Sequence, residues 1–216
     1  MRACLLLFLL MLMPFGAMAA GPGCPARDGE DVWPAGCFTE RAGVRQLKPR
    51  YLRKLSFNKS GKAVIVIDSW PHEVAALDRR GRVVVPGIYH TSDFDYPYAP
   101  RGVARFADKD GKCGYFQSSS FTILAPAVYD HCIAFHDGEE ANACVDCEMY
   151  CTHPDCYDLR LVGGTGFDLD PEGRVLRRYS LPDLDKTCRH GIQKLVREGR
   201  RRYLECKDDP NSPFKL

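Results

Sequence analysis

The densest run of chemistry-bearing residues in the chain is Cys144-Val-Asp-Cys147-Glu-Met-Tyr-Cys151-Thr-His153-Pro-Asp-Cys156. Four thiolates and an imidazole this close could wrap a tetrahedral zinc, which takes sulfur and nitrogen ligands. Cys144 and Cys147 also have the spacing of a redox dithiol, without the strand-to-helix context that lowers an attacking thiol's pKa. A third reading, structural disulfides, needs only an oxidising compartment, and it is the one we adopt. The metal set Cys144, Cys147, Cys151, Cys156 and His153 is kept as the alternative. Asp168-Leu-Asp170-Pro-Glu172-Gly173 begins like a calcium loop, yet its twelfth position is Tyr179 where a bidentate Glu is needed. His131 and His136 lie beside Asp130 and Asp137, but no nucleophile stands in a strained elbow to use them. No catalytic residue is assigned, no cofactor is implied, and the chain reads as a non-enzyme.

Two further sets of residues suit binding. Phe94-Asp-Tyr96-Pro-Tyr98-Ala-Pro100 places aromatic rings on a proline-stiffened loop, offering large contact area at low entropy cost. Arg197, Arg200 and Arg201 belong to a basic cluster near the carboxy terminus that could meet an anionic partner; a second basic stretch runs from Arg41 to Lys62. Over the whole chain the charge is nearly balanced, at +2, so there is no global pull toward nucleic acid or membrane.

The elements that must position these residues begin with a leader. Arg2, an apolar run to Phe15 and Ala17-Met18-Ala19 form the pattern of a signal peptide over 1–19. The apolar run is too short to span a bilayer, so we expect an exported protein, periplasmic or secreted, without a membrane span. Of eleven cysteines, Cys4 leaves with the leader. The other ten are Cys24, Cys37, Cys113, Cys132, Cys144, Cys147, Cys151, Cys156, Cys188 and Cys206, an even set expected to form disulfides. Residues 20–43 read as an irregular Cys/Pro/Gly-rich arm stapled by Cys24 and Cys37.

From residue 44 the text is strand-like. Four copies of one phrase punctuate it: Asn58-Lys-Ser-Gly61-Lys62, Asp78-Arg-Arg-Gly81-Arg82, Asp108-Lys-Asp-Gly111-Lys112 and Asp170-Pro-Glu-Gly173-Arg174. An Asp or Asn side chain caps such a turn and a left-handed glycine closes it, so each copy predicts a β-hairpin. Val83-Val-Val-Pro86-Gly-Ile-Tyr89 also aligns with Ile123-Leu-Ala-Pro126-Ala-Val-Tyr129. The tail changes period. Ile192, Leu195, Val196, Tyr203 and Leu204 recur at helical spacing, which predicts an amphipathic helix within 181–216. On a continuous helix Cys188 and Cys206 would be ~27 Å apart and could not bond to each other. Both would then staple the helix to separate partners, within 132–156.

Gly102-Val-Ala-Arg-Phe-Ala-Asp-Lys-Asp-Gly-Lys-Cys-Gly-Tyr-Phe116, with Pro126 to Tyr129 and Phe135 downstream, resembles the bacterial WG-repeat family. The resemblance spans roughly 44–180, with 144–156 as an insertion, and Cys113 stands at the family's tryptophan position. It implies a mainly β fold of repeated hairpin units and a binding or scaffold role, and carries no catalytic residues. It also implies a buried Cys113, placed where Cys132 of the facing unit could bridge to it. The partner expected is an envelope or extracellular protein or a cell-wall component, and not nucleic acid.

Overall fold

A computed structural model describes residues 23–26, 32–90, 93–135, 140–152, 155–156, 159–188, 192–198 and 201–207. The expected leader, 1–19, lies outside them, as do His136, His153 and Arg200. The fold is mainly β. Strands β1 (Val32–Pro34), β2 (Phe38–Arg41) and β3 (Val44–Leu47) open it, and β2 and β3 form a hairpin. The arm is therefore not irregular: its expected boundary at 43 falls in the turn of that hairpin, where Gly43 takes φ 74°. Cys24 and Cys37 do bond to each other, and Trp33 and Cys37 are buried against the first sheet.

That sheet comprises β4 (Ala63–Asp68), β5 (Glu73–Leu77) and β6 (Val83–Val85), antiparallel in succession, with β1 added parallel to β4. A second holds β7 (Val103–Ala107), β8 (Cys113–Gln117) and β9 (Thr122–Tyr129). A third orders β10 (His131–Cys132), β11 (Ala141–Val145), β14 (Thr165–Leu169) and β15 (Val175–Ser180).

Alternation along the strands shows how the sheets stack. In β5, Ala75 and Leu77 face the core shared with the arm, while Val74 and Ala76 face the next core with Phe106, Phe116 and Phe121. In β8, Phe116 belongs to that second core and Tyr115 to a third with Phe135 and Leu169. Successive side chains of a strand point to opposite faces, so each central strand is buried on both sides. Cys113 is 1% exposed in the third core and bonds to Cys132.

The four turns share one geometry. In each, the glycine has φ between 70° and 80°, and its amide donates to the carbonyl of the Asn or Asp three residues back. The Asn58, Asp78, Asp108 and Asp170 side chains each accept the amide four residues on, at 2.8–3.0 Å. Three of the turns join antiparallel neighbours: β5 to β6, β7 to β8 and β14 to β15. The Asn58 turn lies between the 3-10 turn Pro49–Lys54 and β4, so it closes a loop rather than a hairpin.

The tail departs from expectation. Among the described residues of the tail the expected amphipathic helix is absent: after a 3-10 turn at Leu184–Lys186, β16 (Ile192–Glu198) and β17 (Arg201–Lys207) pair antiparallel. The pairing runs to Glu198 with Arg201 at one end and Ile192 with Lys207 at the other. Cys188 and Cys206 bond to each other with Cα atoms 5.6 Å apart, because a hairpin returns the chain where a helix would have carried it away. The tail does reach the cysteine-rich insertion, by strand pairing instead of disulfides. β12 (Glu148–Cys151) pairs with β13 (Leu159–Val162) on one side, and Cys151 pairs in parallel with Tyr203 of β17 on the other.

Candidate functional site

The cysteine cluster resolves into two local disulfides, Cys144–Cys147 and Cys151–Cys156. All ten cysteines are thus paired in five bridges, which fits an oxidising environment. A disulfide sulfur offers no thiolate to a metal, and no group of three or more candidate ligands occurs among the described residues. The calcium-like carboxylates are occupied as well. Asp168, 1% exposed, accepts from Asn142 Nδ2 at 2.8 Å and from Arg177 Nε at 2.6 Å. Asp170 accepts the Glu172 and Arg174 amides and the Arg174 guanidinium. Asp130, beside His131, binds Lys112 and accepts the Asp146 amide at 2.6 Å, and the Lys112 ammonium holds its carboxyl below the usual range.

The aromatic run 94–98 is divided by its own central acid. Asp95 is 1% exposed and receives both Nε and Nη2 of Arg105, each at 2.9 Å. Arg105 Nη1 donates to the Cys132 carbonyl, and its guanidinium lies 4.9 Å from the Tyr89 ring centroid. Pulled in by this clamp, Tyr96 packs on Phe121 and Phe116, with centroids 5.6 and 6.3 Å apart. Tyr96 is thus half-buried against the second core. Tyr98 stays largely exposed. Phe94 lines a cleft of about 640 Å3 with Tyr179, Leu159 and Leu161. Arg197 is exposed on β16 and Arg201 begins β17, so the basic residues of the tail occupy a hairpin and not one helical face.

A larger cleft, about 780 Å3, was not read from the sequence. Its floor is apolar: Val44 of β3, Val74 of β5, Val83 of β6 and Ile88 beyond it. One lip is the β4–β5 connection, residues 69–72, and the other is the tip of the β7–β8 turn with Lys109 and Asp110. Trp70 on the first lip is 96% exposed. Its connection is braced by the Ser69 amide donating to Ile67 and the Ser69 hydroxyl donating to Pro71, at 2.9 and 2.7 Å. His72 stands 3.4 Å from Asp68 on the same lip.

The back wall is the segment 86–90. Gly87, at φ 45°, lies so close to β7 that a Cβ there would come within 2.3 Å of the Ala107 carbonyl oxygen. Its amide donates to Glu73 at 3.1 Å, and Glu73 is the two-pronged partner of Arg45 from β3. The Arg45 Nε is buried with no hydrogen-bond partner among the described residues. Tyr89 and His90 complete this wall, with His90 Nδ1 donating to the Ile88 carbonyl at 3.2 Å.

No family model, curated protein or solved structure matches the chain. The assignment of a site therefore rests on geometry. His72 and His90 are eighteen residues apart, and only folding shows that they face one cleft with Trp70 and Tyr89. The available signal was Ser69-Trp-Pro-His72, a bulky indole in a short connection between two apolar strands.

Proposed function

We propose that this chain is an exported, disulfide-stapled, non-enzymatic binding protein whose WG-like hairpin units form a scaffold for a ligand cleft. The observation that carries this reading is Trp70. A soluble surface rarely presents a large apolar side chain at 96% exposure beside a preformed apolar cleft unless something covers it. Tryptophan is also the residue type most enriched among side chains that dominate binding energy. The braced connection fixes the backbone beside the indole, so binding has chiefly the side-chain rotamer left to order. The partner is an envelope or extracellular protein or a cell-wall component, consistent with a protein held by five disulfides.

Trp70 and Trp33 are the only tryptophans, and Trp33 is 1% exposed. Iodide quenching of the intrinsic fluorescence therefore reports on Trp70 alone. Adding solubilised cell-wall fragments or extracellular protein fractions should protect that fluorescence. Trp70→Ala should abolish retention on the same material while leaving the melting temperature unchanged. Unaltered quenching across those fractions, with equal retention of the variant, would refute the cleft as the site.

A further inference from the structure

The basic stretch noted between Arg41 and Lys62 is one part of a larger surface. Three segments, two of them neighbours in sequence and the third beyond β5, meet at the end of the first sheet opposite Trp70. They are the 3-10 turn Pro49–Lys54, the Asn58 turn and the Asp78 turn. Their contacts are specific. A Cβ on Gly81 would lie 2.6 Å from Leu52, and one on Gly61 would lie 3.0 Å from Arg79. The Leu47 amide donates to Gly81, the Gln46 side chain donates to the Arg80 carbonyl, and Arg79 covers the Phe57 ring.

Residues 48–54, 59–62 and 79–82 together carry nine Lys and Arg side chains. Across 44–62 and 78–82 the one acidic residue is Asp78. Its carboxylate is used within its own turn, by Arg82 at 2.7 Å and by two backbone amides. Within these segments no other carboxylate offsets the charge. Arg53, Lys59, Arg79 and Arg80 are all exposed.

We infer that this platform docks the protein on the surface of an anionic phospholipid bilayer. Guanidinium forks suit phosphate oxygens, and each basic side chain near an anionic leaflet adds to the attraction. The form of the surface selects the partner. The charges sit on turn tips, and none of them lines either of the two clefts described above, so among the described residues they form a set of tips and not the walls of those grooves. The nearby rings of Tyr51 and Phe57 are already covered by Arg50 and Arg79, which leaves no stacking platform for bases. Because β4 separates the Asn58 turn from the Trp70 connection by roughly 20 Å, a docked protein keeps its cleft clear of the membrane. This inference does not depend on what the cleft binds.

The test is cosedimentation of the full oxidised chain with vesicles of phosphatidylcholine alone or with 30% phosphatidylglycerol. Binding should require the anionic lipid and fall steeply between low and physiological salt. Arg53→Gln, Lys59→Gln and Arg80→Gln together should weaken it about 100-fold, since each charge near the leaflet is worth roughly a factor of five. Lys194→Gln with Arg197→Gln, on the exposed tail hairpin, should leave it within about twofold. Equal binding to neutral vesicles, or an unaffected triple variant that retains the wild-type melting temperature, would overturn the inference. So would tight retention on heparin or duplex DNA without vesicle binding, which would assign the platform to a linear polyanion.

Discussion

The stacked sheets and the outer sheet β13-β12-β17-β16 are both antiparallel-rich and both carry disulfides, yet they are held together differently. In the stacked part, β5 and β8 are buried on both faces, and the cores run from Trp33 to Leu169 through neighbouring sheets. The outer sheet is itself two hairpins joined by one parallel pair, Cys151 with Tyr203, and its core is Tyr150, Val162 and Leu204. Two disulfides, Cys151–Cys156 and Cys188–Cys206, supplement that small core. Stability in the first region comes from area removed from water, and in the second it comes more from restriction of the unfolded chain.

The strongest way to break this contrast is to empty a core. Phe116→Ala, at a side chain 0% exposed and stacked on Phe121, should cost about 3–5 kcal/mol and lower the global unfolding midpoint. Leu204→Ala should instead open the outer sheet, with faster amide exchange in β12 and β17 and unchanged exchange in β8. Simultaneous loss of protection in both regions would show that the outer sheet is part of one cooperative unit.

Disulfide removal sharpens the same comparison. The Cys113–Cys132 bridge spans 19 residues and Cys151–Cys156 spans 5. Chain entropy then predicts losses of about 3 and about 2 kcal/mol for the paired serine variants, measured by urea unfolding. A larger loss from the shorter loop would mean that native packing, not chain restriction, dominates in the outer sheet.

Two glycines with the same backbone separate turn strain from packing. Gly111 and Gly173 have φ of 79° and 80°. A Cβ on Gly111 would meet nothing within 4 Å, whereas one on Gly173 would lie 2.4 Å from the Leu124 carbonyl oxygen. Gly173→Ala should therefore cost roughly 2 kcal/mol or more, and Gly111→Ala about 1 kcal/mol from the left-handed conformation alone. Equal losses in thermal melts would remove the packing contribution.

The smallest expected effect is a pH dependence of the turns. For Asp78, burial acts to raise the carboxyl, but the amide and side chain of Arg82 and the Arg80 amide together hold it below its usual value. For Asp170, burial is likewise outweighed by the Arg174 amide and guanidinium. Such a group stabilises the fold above its unfolded value of about 3.9, and that contribution is lost as pH falls through the lower folded value. Asp78→Asn should lower the neutral plateau of a stability–pH profile and flatten its acid limb, because the contribution lost on acidification is already missing. A steeper acid limb in the variant would reverse the sign argued here.

The sequence alone determined the β class and the four turns, because a turn is written within five residues. The capping oxygen of Asp108, the amides it accepts and the left-handed Gly111 are all local, so no distant residue is needed to read them. It also carried the pairing of Cys24 with Cys37, close neighbours in the chain, and the burial of Cys113. Tertiary structure decided the rest. The spacing of Ile192, Leu195 and Val196 suits a helix, but the tail has a strand edge at β12 to join, and β16 and β17 pair with each other. The cleft collects β3, the β4–β5 connection, residues 86–90 and the β7–β8 tip, and the basic platform collects three separate segments. Long-range contacts of this kind follow from which faces of the sheets must be buried, and no local pattern in the chain records where Trp70 or Arg80 ends up relative to its neighbours.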